Sequence, residues 1–115
     1  DYLSNIEHLN LIGKTSVLDA YACMEKCIGF VGNDSGLMHL AAASNIPTLG
    51  LFGPSPEKVY APWGKNCSWV RTEKSFSEII SLPNYDYKSQ KSHMSDLKVE
   101  VVEKAFIDLL NNNDK

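Results

Sequence analysis

The 115-residue sequence predicts an α/β fold, a parallel sheet with flanking helices, and three stretches carry that expectation. Cys27-Ile28-Gly29-Phe30-Val31 is an apolar run without polar alternation, the pattern of a strand covered on both faces in a parallel sheet. Residues 37–44 follow as an alanine-rich helical stretch, and Pro47 closes the connection into Thr48-Leu49-Gly50-Leu51-Phe52, a second uninterrupted apolar run. Strand, helix and strand at this length make a βαβ unit, whose crossover is right-handed in nearly all cases. A Rossmann-like sheet is the fold class that unit implies.

The other elements follow in chain order. His8-Leu9-Asn10-Leu11-Ile12 is a short apolar run closed by Gly13, which suits a strand end and a turn. Thr15 and Ser16 stand where a helix cap belongs, and Asp19 lies three residues after Ser16 as in a capping box. Apolar positions Leu18, Tyr21, Ala22 and Met24 then recur at helical spacing over residues 17–26. Beyond the second strand, Gly53-Pro54-Ser55-Pro56 breaks the chain, and Glu57 to Tyr60 has room for about one helical turn. Ala61-Pro62-Trp63-Gly64 reads as a loop, with Trp63 anchored against the core, and residues 67–71 as a short strand. Residues 81–95, which include Tyr85, Tyr87, Lys88 and Lys91, have no period and read as a long solvated surface loop. From Ser95 or Asp96 onward, Leu97, Val101, Val102, Ala105, Phe106 and Leu109 form one apolar stripe of a last helix, ending in an Asn111-Asn112-Asn113 tail.

Composition narrows the function. Hydrophobic residues at 43% and charged residues at 22% sit in the ordinary globular range, and the length suits one compact domain. A net charge of −3 argues against the broad basic face that nucleic acid requires. No apolar run reaches the roughly 18 residues needed to span a bilayer, so no transmembrane segment is expected. The three cysteines, Cys23, Cys27 and Cys67, show no paired C-x-x-C spacing, which indicates neither a zinc site nor a disulfide framework. Cys23 and Cys27 are expected on one helix face as buried free thiols of a reducing compartment. The chain opens at Asp1 without methionine and reads as a piece of something longer.

The chemistry is expected at Asn33-Asp34-Ser35-Gly36, where the first strand of the βαβ unit ends. Ligands bind at that carboxyl edge in open α/β sheets. Asp34 or Ser35 would cap the following helix and leave its first N–H groups and positive dipole end free for a phosphate. Gly36 removes bulk where a diphosphate must approach the backbone, and His39, four residues after Ser35, projects from the same side of the first turn. Ala41, Ala42 and Ala43 would let the helix lie close on the sheet. Singly, a cap, a histidine or an alanine run is ordinary structure; the combination at the ligand edge is what points to binding.

Val31-Gly32-Asn33-Asp34-Ser35-Gly36-Leu37-Met38-His39-Leu40-Ala41-Ala42-Ala43, with Pro47 to Pro54 and Trp63-Gly64, resembles the signature of glycosyltransferase family 9, the lipopolysaccharide heptosyltransferases. The likeness extends upstream to Leu11-Ile12-Gly13-Lys14-Thr15-Ser16 and downstream to His93-Met94-Ser95-Asp96-Leu97. It implies a GT-B architecture in which residues 1–115 correspond to part of the C-terminal, donor-binding domain, the N-terminal acceptor domain and its catalytic base being absent. It further implies metal-independent, inverting transfer of heptose from ADP-heptose to the lipopolysaccharide core, with no cofactor, in the cytoplasm or peripherally at the inner face of the inner membrane. By the same likeness Asp34, Ser35, Gly36 and His39 would hold the sugar and diphosphate, and Lys14 and Thr15 would lie near the adenosine. Asn10 stands where some relatives carry a glutamate thought to hold the ribose; its amide still bonds a hydroxyl but leaves the nucleotide's identity open.

Two other functions stay in view. A GT-B nucleotide-sugar epimerase would bind a related donor with a similar half; a closed cleft with its own acid and base would mark it, whereas a carboxylate base facing Gly36 across an acceptor cleft would mark transfer. A nucleotide-binding α/β domain without chemistry is the third, since fold alone does not reject it.

Overall fold

The computed structural model describes residues 3–86, 88 and 92–113. Its elements run α1 (Val17–Met24), β1 (Phe30–Asn33), α2 (Gly36–Ala43), β2 (Thr48–Phe52), α3 (Glu57–Tyr60), β3 (Cys67–Arg71), α4 (Phe76–Ile80) and α5 (Val99–Asn113). The three strands pair in the order β1-β2-β3, all parallel, so the predicted Rossmann-like α/β class holds. Asn33 faces Leu51 and Phe52 faces Arg71 across the ladders, which brings all three strand exits to one edge.

The core lies between this sheet and its two main helices. On one face α2 approaches so closely that a Cβ at Gly50 would sit 2.7 Å from Met38 Sδ and 3.1 Å from Pro62 Cδ. On the other, α5 reaches the start of β1, where a Cβ at Gly29 would meet the Phe106 ring at 2.7 Å. Met38, Ala41, Leu49, Phe52 and Ile79 are fully or almost fully buried between these layers. Burial of such side chains, at about 1.5–3 kcal/mol each, is the main favourable term holding helices to sheet.

Local signals place the helix ends. Ser16 accepts from the Asp19 amide at 3.1 Å and the Asp19 carboxylate accepts from the Ser16 amide at 3.1 Å, the capping box read from the sequence. Those hydrogen bonds from Ser16 hold the Asp19 carboxyl below its ordinary value. α2 stops at Ser44, after which Asn45 takes the left-handed conformation (φ 66°) common just past a helix end, and its carbonyl accepts from Asn66 Nδ2 at 2.9 Å.

Several expectations are corrected. Residues 8–12 form no strand: the Asn10 side chain accepts from the Ile12 amide at 3.0 Å and Lys14 donates back to the Leu11 carbonyl, a turn that leaves Leu9 and Ile12 exposed. β1 starts at Phe30, because Cys27 still bonds back to Met24 at the end of α1. It is covered on alternate residues rather than on both faces; it is an outer strand of the sheet, and Val31 remains 39% exposed. Cys23 and Cys27 are exposed, since no residue of α1 is buried, while partial burial pushes the Cys67 thiol up. Ala43 is exposed although Ala41 and Ala42 are buried.

Trp63 is 91% exposed and anchors nothing; its neighbour Pro62 packs under α2 instead. α4 was not anticipated, although Ser75 and Glu78 form a second capping box. α5 begins at Val99, three residues beyond Asp96, and its backbone continues helical through the asparagine tail. The 81–86 stretch is loop as expected, with Tyr85 tilted against His93 at 5.5 Å, whereas Tyr87 and Lys91 lie outside the described residues.

Candidate functional site

β1 delivers the chain to Asn33 at the carboxyl edge, and two residues make the turn into α2. Ser35 holds an extended backbone (φ −163°, ψ 168°) and caps the helix, its hydroxyl accepting from the Met38 amide at 3.4 Å. Asp34 takes no part in the cap. The His39 amide bonds the Ser35 carbonyl, so of the first-turn N–H groups those of Gly36 and Leu37 make no hydrogen bond among the described residues. They point outward with the positive end of the helix dipole.

Gly36 is exposed, and a Cβ built on it would meet nothing within 4 Å. The glycine therefore answers no packing demand within the chain; it leaves open space above two free donors. His39 does not turn into the core: its side chain is 47% exposed, and Nε2 lies 3.9 Å from Asp34 Oδ1. The Asp34 side chain, 22% exposed, thus sits beside the imidazole rather than on the helix end. The free amides present the positive end of the helix dipole at one point of the edge, with the His39 imidazole and its Asp34 partner beside them, which suits a phosphate group.

The upstream residues lie on the flank of this turn. A cavity of about 480 Å³ opens between α1, the 11–15 turn and the first turn of α2, lined by Leu11, Ile12, Thr15, Cys23, Met24 and Leu37 among others. Its mostly apolar walls suit a flat ring system. Thr15 lines it; Lys14 and Asn10 do not, and the Asn10 carbonyl oxygen is already engaged by the Ile12 amide. Leu37, Cys23 and Met24 were not anticipated as site residues. Leu37 adjoins the Asp34-Ser35-Gly36 turn and is 53% exposed on an otherwise apolar helix, but nothing in its spacing distinguishes it from a core position.

The sequence profile of glycosyltransferase family 9 (heptosyltransferase) matches residues 3–86, the span that holds β1, α2 and the flanking cavity. The chain belongs to this family. Among similar curated proteins, lipooligosaccharide heptosyltransferase 2 of Haemophilus influenzae is 40% identical over 63 residues, covering 55% of the family 9 chain and 18% of the relative. The Campylobacter jejuni lipooligosaccharide heptosyltransferase 2 is 31% identical over 113 residues, 95% of this chain and 34% of its own length. Lipopolysaccharide heptosyltransferase 3 of Escherichia coli is 36% identical over 56 residues, 49% of this chain and 16% of that protein. The chain thus spans 18% to 34% of the length of the heptosyltransferase 2 relatives it matches. No solved structure matches it. Among the described residues no helix is long and apolar enough to cross a membrane.

Proposed function

We propose that this family 9 chain is the donor-binding part of a heptosyltransferase, and that it holds the diphosphate of a nucleotide sugar such as ADP-heptose at the first turn of α2. One observation carries the reading: Gly36 and Leu37 offer unengaged N–H groups in open space at the carboxyl edge of a parallel sheet, with His39 exposed beside them. Asp34, Ser35, Gly36 and His39 receive the diphosphate and the sugar linked to it. The apolar cavity at Thr15 takes the nucleoside; Asn10 and Lys14, which flank its Leu11 to Gly13 wall in the chain, are the further nucleoside contacts of this reading.

Transfer breaks the bond between the anomeric carbon and the diphosphate, so negative charge develops on the leaving phosphate oxygen. Donors already aimed at that oxygen stabilise the charge as it forms, without reorganising at the moment of reaction. His39 beside those donors adds a further N–H donor to the departing phosphate, which supports chemistry that needs no metal. Inversion requires a base on the opposite side of the sugar. We place that base in a separate acceptor domain of the N-terminal half, which would also hold the lipopolysaccharide core, and expect the whole enzyme to work in the cytoplasm or at the inner face of the inner membrane. Residues 1–115 alone are then expected to bind donor and transfer nothing.

Titration calorimetry with ADP, UDP and AMP tests the binding. ADP is expected to bind, and His39→Ala to weaken ADP by about tenfold while AMP changes much less, the loss of one charge-assisted contact. Silence toward all three nucleotides would leave only a scaffold or interaction role, and equal losses for ADP and AMP would remove His39 from the diphosphate.

A further inference from the structure

Arg71 is a cation at the ligand edge to which the donor site described above assigns no role. It is the last residue of β3, and its side chain is only 14% exposed. Nη2 donates to the Gly53 carbonyl at 2.9 Å and to the Lys74 carbonyl at 2.9 Å, Nε donates to Lys74 at 3.3 Å, and Nη1 pairs with the Glu57 carboxylate, itself 16% exposed. One guanidinium therefore ties the exit of β2, the first residue of α3 and the turn after β3. Thr72 adds to the knot, its amide donating to Phe52 and its hydroxyl to Lys74 at 2.7 Å.

This knot frames a particular loop. Residues 53–56 leave β2 beside the point where Asn33 leaves β1, because Asn33 and Leu51 are register partners and neighbouring parallel strands lie about 4.8 Å apart. The loop thus leaves the same sheet edge as the Asp34-Ser35-Gly36 turn, one strand away. Gly53 is pressed under Met94, His93 and Thr72, leaving no room even for a methyl group, so the start of the loop is held from above as well. Pro54 and Pro56 restrict its backbone on either side of half-buried Ser55.

We infer that Arg71 is a positioning residue for donor binding: by pinning Gly53, Glu57 and Lys74 it sets residues 53–56 against the sugar of a bound nucleotide sugar. Four of its five N–H groups are engaged by protein acceptors and its charge is met by the Glu57 carboxylate, so it acts through the loop rather than as a cation on the diphosphate. The loop itself presents the Ser55 hydroxyl and main-chain groups without charge, which can bond sugar hydroxyls. The inference rests on the donor-binding function proposed above.

Arg71→Met and the milder Glu57→Gln, compared with the unaltered chain, test it through affinity for ADP and for ADP-heptose and through amide hydrogen exchange of residues 53–57. Arg71→Met is expected to speed exchange in 53–57 and to weaken ADP-heptose by about tenfold while ADP moves by less than about threefold, the scale of losing charge-assisted bonds at one guanidinium. Glu57→Gln keeps the bonds to the Gly53 and Lys74 carbonyls and is expected to fall between, which keeps the test informative should Arg71→Met unfold. Faster exchange with unchanged ADP-heptose affinity in both variants overturns the positioning role. So does an equal loss for ADP and ADP-heptose without faster exchange, which would put Arg71 on the diphosphate itself. Absence of binding by the unaltered chain is a different failure, that of the donor site as a whole.

Discussion

Gly36 separates what folding needs from what a ligand needs. Most glycines beside a helix end answer a steric or backbone demand; here a Cβ would enter open space and the backbone is not in the left-handed region. Gly36→Ala is accordingly expected to leave stability unchanged or raise it by up to about 1 kcal/mol, since alanine loses less chain entropy in a helix. The same methyl group would stand over the free amides and weaken ADP by about tenfold, about 1.4 kcal/mol. Chemical denaturation and calorimetry on one protein sample read both effects. A stability loss with intact ADP affinity would show that the glycine serves the fold. The arrangement of Ser35, Gly36 and His39 was legible because it depends on neighbours along one helical turn. Arg71 was not, since its partners Gly53, Glu57 and Lys74 come from separate segments and share no spacing.

At the scale of elements, the two-layer contact of α2 with the sheet carries the site. Leu49 is fully buried in β2, in register with Val31 of β1, so truncating it opens a cavity against one face of the sheet whose strand ends form the ligand edge. Leu49→Ala is expected to cost about 2–5 kcal/mol in denaturant unfolding. A loss below about 1 kcal/mol would mean the sheet is not packed as described. The capping box at Ser16 and Asp19 made α1 readable, whereas the equivalent pair at Ser75 and Glu78 did not make α4 so, because its five residues are too short to show a period beside the cap. Residues 8–12 illustrate the reverse case. An apolar run reads as a strand, but a strand exists only where another lies alongside to share its hydrogen bonds, and here a side-chain turn at Asn10 takes the Ile12 amide.

Over the whole molecule, apolar surface is left uncovered on and around α1, on the flank of the ligand edge. Ile12, Leu18 and Ile28 are 87%, 80% and 78% exposed, on and around α1. Side chains already in water contribute little to folding, so Leu18→Ser is expected to change the unfolding free energy by less than about 0.5 kcal/mol. A loss near 2 kcal/mol would place Leu18 in a packed interface. The exposure of Cys23 and Cys27 has the same origin: a helical stripe shows which residues share a face, but only the position of α1 shows whether that face meets anything.

The sequence by itself determined the order of strand, turn and helix, the caps, and the placing of a small residue and an imidazole within one turn of α2. These depend on interactions three or four residues apart, which spacing encodes directly. Tertiary structure decided which apolar faces are covered, that Trp63 stands in solvent, that Thr15 and Leu37 line a common cavity, and that Arg71 fastens the exit of β2 to the start of α3 and the turn after β3. Those features arise where distant segments meet. Burial and long-range hydrogen bonding are properties of the neighbours a residue acquires on folding, not of the residue or its place in the chain.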